Sequence, residues 1–315
     1  MTTTVHQHKT QPQSERNATW QRALRRNLAG WLFAAPWIVG FVIWTLGPML
    51  ASLVLSFTEW DLISSPQWVG LRNFQELLAD ELVWKSLTVT TLYAVVSVPL
   101  HLVLGLGLAM LLNRPIRGVR FYRTILYLPA VLSGVAVALL WRWLLSADFG
   151  LINLLLSYIG IQGPSWLGDE RWALSSLIVM SLWGVGAGTI VYLAGLQGIP
   201  TDLYEAAEVD GAQGWSRFRN ITLPMMTPVL FFQLIVGIIG ALQTFTQAFI
   251  ITNGGPNNAT MFLLLYLYRN AFQYFRMGYA SAIAWVLFVY ILILTLIVFR
   301  WSALWVYYEG ERRKG

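Results

Sequence analysis

Long apolar stretches separated by short polar ones dominate the chain from Trp31 onward. A hydrocarbon core about 30 Å thick needs roughly 20 mostly apolar helical residues to cross it. Six stretches reach that length: Trp31–Phe57, Leu87–Leu112, Thr124–Leu145, Trp172–Leu196, Pro228–Ile251 and Tyr279–Phe299. The pattern predicts an all-α integral membrane protein of six spans. Residues 31–300 form its membrane domain, 1–30 a polar tail and 301–315 a basic tail. The first stretch is not a removable signal. It is longer than a signal core, lies behind the polar tail, and contains Pro36 and Pro48.

Composition sharpens this picture. Hydrophobic residues make up 57% of the 315 positions and charged ones 11%, against about a quarter charged in soluble domains. So few charges cannot cover that much apolar surface in water, which excludes a disordered chain and an ordinary soluble enzyme. Cysteine is absent, which excludes a disulfide scaffold, a thiol nucleophile and a Cys-ligated metal.

The net charge of +6 reads as topology once its placement is followed. With the N-terminus in the cytoplasm, fifteen basic residues fall on cytoplasmic segments. They are Lys9 to Arg26 in the tail, Arg114 to Arg123 in the second loop, Arg217 and Arg219 in the fourth, and Arg300 to Lys314 at the end. The outer loops hold five: Arg72, Lys85, Arg171, Arg269 and Arg276. Basic residues accumulate on the cytoplasmic side, so both termini are expected there. Nucleic-acid binding is not needed to account for the charge.

All fifteen acidic residues lie outside the six stretches. Ion-driven carriers often keep a carboxylate at mid-membrane. Its absence disfavours an ion-coupled sugar carrier, the alternative reading, although backbone carbonyls can also hold sodium. His101 falls midway along the second span. It is read as hydrogen-bonded to a neighbouring helix in preference to serving as a proton relay. Arg142, within Trp141-Arg142-Trp143, is expected to snorkel to the interface beside an aromatic belt. No lysine follows a glycine, so no phosphate-cradling P-loop exists, and any ATP-driven work must come from another polypeptide.

The loop between the fourth and fifth spans, residues 197–224, is the most distinctive segment. Pro200 ends the preceding helix. Asp202 and Glu205 have the spacing of a capping box that opens a new one, and Gly211 suits a left-handed stop. A second short helix is expected over Gly214–Asn220, ending before Leu223-Pro224. Four acids, Asp202, Glu205, Glu208 and Asp210, ride on this helical knuckle. The cytoplasmic leaflet is anionic, so an acidic, capped loop is better suited to docking a protein than to lying on the membrane.

This loop resembles the EAA signature of ABC importer permeases. Glu205-Ala206-Ala207, then three residues, Gly211, nine residues and Ile221-Thr222-Leu223-Pro224 match it without a change in spacing. Leu193 to Pro200, Thr252-Asn253-Gly254-Gly255-Pro256, Thr58-Glu59-Trp60 and Gly278 to Ala282 look like the carbohydrate-uptake branch. The likeness spans Trp31 to Arg300 and is closest to the first of two unlike permeases for sugars, oligosaccharides, polyols or glycerol-phosphate compounds.

The resemblance implies a six-helix type I importer bundle in a bacterial or archaeal inner membrane, paired with a second permease. It also implies two cytoplasmic ATPase subunits carrying ATP and magnesium, and an external solute-binding protein. This chain would bind no cofactor and do no covalent chemistry. Glu205 would be the charged contact with the ATPase, Ala206 and Ala207 a close-packing face, and Gly211 the pivot. Asp210, Ile221, Leu223 and Pro224 complete the motif.

For the solute path, Gln233, Gly237, Gly240, Thr244 and Gln247 recur at helical spacing along the fifth span. That stripe is either a sugar-contacting wall or a packing face for a neighbouring helix. Trp183 and Tyr192 flank Gly184, Gly186 and Gly188. They stack on sugar or pack, with packing the stronger expectation, and Gly184 and Gly188 have the spacing of a close helix contact.

Overall fold

The computed structural model describes residues 30–115 and 117–307. The tail expected over 1–30 therefore lies outside the described residues except for Gly30, as do residues 308–315 of the basic tail. Two compact units divide at Val54 and Leu55. The described part of the first is nearly all of helix α1 (Gly30–Leu55), with a π-helical turn at Val42–Leu46. Trp37 and Phe41, one turn apart on it, stack at 5.5 Å.

The second unit opens with a two-stranded antiparallel hairpin, β1 (Thr58–Glu59) against β2 (Gln67–Trp68). Helices α2 (Arg72–Ala79) and α3 (Glu81–Leu112) follow. Asp80 separates them and caps α3, its carboxylate accepting from the Leu82 amide at 2.9 Å. Then come α4 (Val119–Val131), α5 (Gly134–Leu144), α6 (Leu151–Tyr158) and α7 (Glu170–Gln197). Helices α8 (Thr201–Val209), α9 (Gly214–Leu242), α10 (Leu263–Tyr268) and α11 (Met277–Trp305) complete it.

Among the described residues, five helices are long and apolar enough to span a membrane, or up to six if the bent pair α4–α5 counts as one span. Large apolar side chains such as Val103, Leu296 and Leu304 face outward and are exposed. Water would make that surface unfavourable, whereas lipid is its natural surrounding.

Two expected spans differ from their continuous prediction. The third, Thr124–Leu145, is broken by a 100° bend between α4 and α5. Pro129 lies near the end of α4, and Leu132 and Ser133 are extended just before Gly134. Proline and Ser–Gly pairs are the usual causes of such kinks. The fifth span was expected at Pro228–Ile251, yet α9 begins at Gly214 and ends at Leu242. Its start is continuous with the loop because a π-helical turn at Phe218–Thr222 re-spaces the hydrogen-bond ladder just before Pro224, which has no N–H to give it. The second short helix expected at Gly214–Asn220 is thus the first part of α9. Beyond Leu242 the helix stops, and a separate π turn covers Ala248–Thr252.

Two apolar clusters hold the second unit together. The larger includes Val89, Tyr93, Leu177, Leu242, Phe262, Tyr279 and Ile283. The smaller joins α3, α7 and α9 through Leu106, Ala109, Tyr192, Leu196 and Met226, and Tyr204, Phe218, Ile221 and Leu223 pack against it. Gly186 on α7 permits the closest crossing: a Cβ there would run into the Leu126 backbone carbonyl of α4. Gly184 has nothing within 4 Å, and Gly188 meets the Gln233 side chain. The close contact therefore lies between the two glycines whose spacing suggested it.

Candidate functional site: a helical knuckle and a polar cavity

The knuckle is built by α8 and the first turns of α9. Thr201 opens α8 behind Pro200, with no side-chain cap, so the expected Asp202 capping box does not form. Asp202 instead occupies the first turn, where a carboxylate complements the helix dipole. Gly211 takes a φ of +74°, the left-handed stop its position predicts. Its amide donates to the Glu208 carbonyl at 3.0 Å, and the Ala212 amide donates to the Ala207 carbonyl at 2.8 Å.

Arg217 closes the turn from the other side. Its Nε donates to the Ala212 carbonyl at 2.7 Å, and its guanidinium pairs with Glu208 at 3.4 Å. The Tyr204 and Thr222 hydroxyls share a hydrogen bond of 2.9 Å between α8 and α9.

These bonds sort the motif into two groups. Ile221 and Leu223 face the bundle and anchor the knuckle, with Pro224 half-buried beside them. Glu205, Ala206, Asp210 and Gly211 are exposed and Ala207 is half-buried. Among the described residues Glu205 forms no ion pair, whereas Glu208 is engaged by Arg217. Two residues the sequence reading missed flank the turn. Val209 is 89% exposed, and Trp215 is 72% exposed with its ring 5.1 Å from Phe218. An apolar residue on each side of a glycine turn was the available signal.

The second feature is a cavity of about 430 Å³ among α3, α7, α9 and the segment after α9. Gln233, Gly237, Gly240, Thr244 and Gln247 all line it. They do not share one helix face as expected, since Thr244 and Gln247 lie past the end of α9. The Gln233 amide reaches the Gly188 carbonyl at 3.5 Å. Tyr192 lines the cavity and is otherwise buried. Trp183 is not part of the lining and packs edge-on against Trp141 instead. His101 is on the wall, with its ring between the carbonyls of Ser97 on α3 and Ser181 on α7. Arg142 is exposed and donates to the Ile250 carbonyl at 3.3 Å.

A third cluster, at the hairpin end of the unit, was legible only as charges. A cavity of about 300 Å³ is lined by Trp60, Asp61, Arg72, Glu76 and Arg276 among others. Arg72 pairs with Glu59 at 3.3 Å and Arg276 with Glu76 at 2.5 Å. The amides and hydroxyl of Ser64 and Ile63 hold the Asp61 carboxyl down at about 2. Burial pushes Asp80 up, but hydrogen bonds from Tyr266 (2.6 Å), Tyr279 (2.7 Å) and the Leu82 and Val83 amides outweigh it. Asp80 therefore stays below the usual carboxylate range, while burial and Asp80 lift Tyr266 to about 12.

Residues 101–306, which carry the knuckle and most of the cavity lining, match the family described as binding-protein-dependent transport system inner membrane component. The chain belongs to this family. It is 47% identical to the probable ABC transporter permease protein YesP of Bacillus subtilis (strain 168), over 92% of this chain and 96% of that one. It is 37% identical to the lactose transport system permease protein LacF of Rhizobium radiobacter, over 89% and 97%. The trehalose/maltose permease MalF of Thermococcus litoralis is 34% identical over 90% and 96%.

A chain of a bacterial ABC transporter that imports the acidic polysaccharide alginate superposes with a TM-score of 0.80 at 26% identity, over 90% of this chain and 98% of that one. A second structure, of the alginate transporter in complex with its pentasaccharide-bound periplasmic protein, matches equally well, over 89% and 96%. The chain is thus a multi-pass ABC permease of the inner membrane and not an enzyme.

Proposed function

We propose that this permease is one of two membrane-spanning subunits of a sugar importer. Both termini face the cytoplasm, α4 and α5 together make the sixth crossing, and the knuckle projects into the cytoplasm. It docks there on one of two ATPase subunits that bind ATP and magnesium. A solute-binding protein delivers a saccharide, or a related polyol or glycerol-phosphate compound, on the outer side. ATP-driven closure of the ATPases moves the knuckle, and α9, continuous with it, carries that motion to the wall of the polar cavity. Gln233, Thr244, Gln247 and Tyr192 are the groups suited to hydroxyl-rich solutes there, because amides and hydroxyls match the sugar's own donors and acceptors.

The observation that carries this reading is the state of the loop's two glutamates. Glu208 is neutralised within the loop, whereas Glu205 stands exposed and unpaired among the described residues. An unpaired carboxylate on a braced turn is prepared for a basic group on another protein. The names of the relatives supply the sugar class. Because the chain has no cysteine, a single Val209→Cys carrying a short cross-linker gives a clean test. Capture of a P-loop ATPase subunit supports the reading, and efficient capture of the solute-binding protein instead would reverse the orientation.

A further inference from the structure

A cavity of about 330 Å³ lies where α4 crosses α7, with Leu112 at the end of α3 in its wall. Most of the lining is apolar, including Leu126 on α4 and Ile190 and Leu193 on α7. Tyr127 and Ile190 belong to the wall and are exposed, so this wedge opens on the surface of the chain. One charged side chain enters the lining, that of Arg123.

Three more arginines, Arg114, Arg117 and Arg120, lead up to Arg123 at steps of three and are exposed. No Asp or Glu occurs between Glu81 and Asp148. Among the described residues none of the four arginines forms an ion pair. Arg120 and Arg123 are neighbours one turn apart on α4, an arrangement in which like charges repel. Arg123 donates from Nη2 to the Leu112 carbonyl at 3.0 Å, and its Nε is buried without an acceptor among the described residues. An arginine stays charged in a protein, and a half-buried charge without a counter-ion is costly. The wedge therefore suits an anion joined to an apolar body.

We propose that the wedge binds an anionic phospholipid, its phosphate against Arg120 and Arg123 and one acyl chain along Leu126, Ile190 and Leu193. The guanidinium fork matches phosphate oxygens, and basic pockets between spanning helices on the cytoplasmic side suit such headgroups. A soluble phosphate would satisfy the arginines but leave the apolar wall uncovered. A protein segment would cover the wall but would have to carry a carboxylate into the membrane, which is costly. Gly186, where α7 passes the Leu126 carbonyl of α4, lines the same cavity, so the lipid braces these two helices beside their close crossing. This inference rests on the orientation proposed above, which sets the four arginines at the anionic leaflet.

The test is photo-cross-linking of the assembled importer in vesicles, using lipids that carry a diazirine in one acyl chain. Phosphatidylglycerol should label the α4 and α7 segments of the wedge on the order of ten-fold more than phosphatidylcholine with the same chains. Arg120→Gln, which leaves the Arg123–Leu112 bond in place, should cut that excess about five-fold, the effect of one basic residue near an anionic surface. Arg120→Lys should retain it. Equal labelling by the two lipids overturns the site. Displacement of the label by excess inorganic phosphate assigns the arginines to a soluble anion and overturns the lipid. Capture of the second permease by a cross-linker on Ile190→Cys, in place of lipid labelling, overturns it too. Both leaflets of the vesicle carry the probe, so labelling does not depend on which face is cytoplasmic. A reversed orientation would appear in the Val209→Cys capture and leave this readout unchanged.

Discussion

The Tyr204 hydroxyl on α8 and the Thr222 hydroxyl at the π turn of α9 meet at 2.9 Å, with Thr222 buried. This bond ties the exposed half of the knuckle to the helix that lines the cavity. Tyr204→Phe removes it while keeping the ring, at a cost of about 1 kcal/mol. The permease should still insert and assemble, with less transport per ATP hydrolysed. Uptake and hydrolysis measured together in proteoliposomes check this, and unchanged coupling would make the bond incidental.

Gly211 at φ +74° reverses the chain between Asp210 and Ala212. Gly211→Val places a β-branched residue where the left-handed conformation is strained by roughly 1–2 kcal/mol. The turn should open and the ATPase subunit should be lost on purification, with the permease still in the membrane. An intact, stoichiometric complex would contradict the need for a left-handed residue here.

Gly186 faces the Leu126 carbonyl so closely that even a methyl group must displace α4. Gly186→Ala should destabilise the permease by about 1–3 kcal/mol through overpacking. Gly184→Ala, which meets nothing within 4 Å, should leave the melting midpoint nearly unchanged. Thermal unfolding of the two variants side by side separates these outcomes.

Asp80 joins α2, α3, α10 and α11 by capping α3 and accepting from Tyr266 and Tyr279. Its folded carboxyl lies below the ordinary value. The stability it adds is therefore fully present above the unfolded value of about 4 and fades as the pH falls through the lower, folded value. Wild type should melt higher than Asp80→Asn at pH 7, with the gap narrowing below about pH 4. A gap independent of pH would show that Asp80 contributes through shape alone.

Much of this was readable before any coordinates. Four of the six apolar stretches coincide with single long helices, because length and hydrophobicity decide a span with little help from neighbours. The knuckle was legible because Pro200 and Gly211 act locally on the backbone. What failed depended on tertiary context. The bend at Leu132–Ser133 and the stop after Leu242 place apolar residues where hydropathy reads straight on. The role of Glu208 was hidden because its partner, Arg217, meets it only after the turn has formed. His101 was rightly expected to bond a neighbouring helix, but its two carbonyl partners belong to residues 97 and 181, a pairing that periodicity does not specify.

ATP-driven uptake by a reconstituted importer carrying Glu205→Lys tests the coupling role most directly. Reversing the charge of an exposed residue leaves insertion and the bundle intact, and truncating one partner of a desolvated interface pair typically costs about 2–5 kcal/mol. Uptake should fall to background while the variant is present in the membrane at wild-type levels. Wild-type uptake by the Glu205→Lys importer would contradict the docking of this loop on the ATPase.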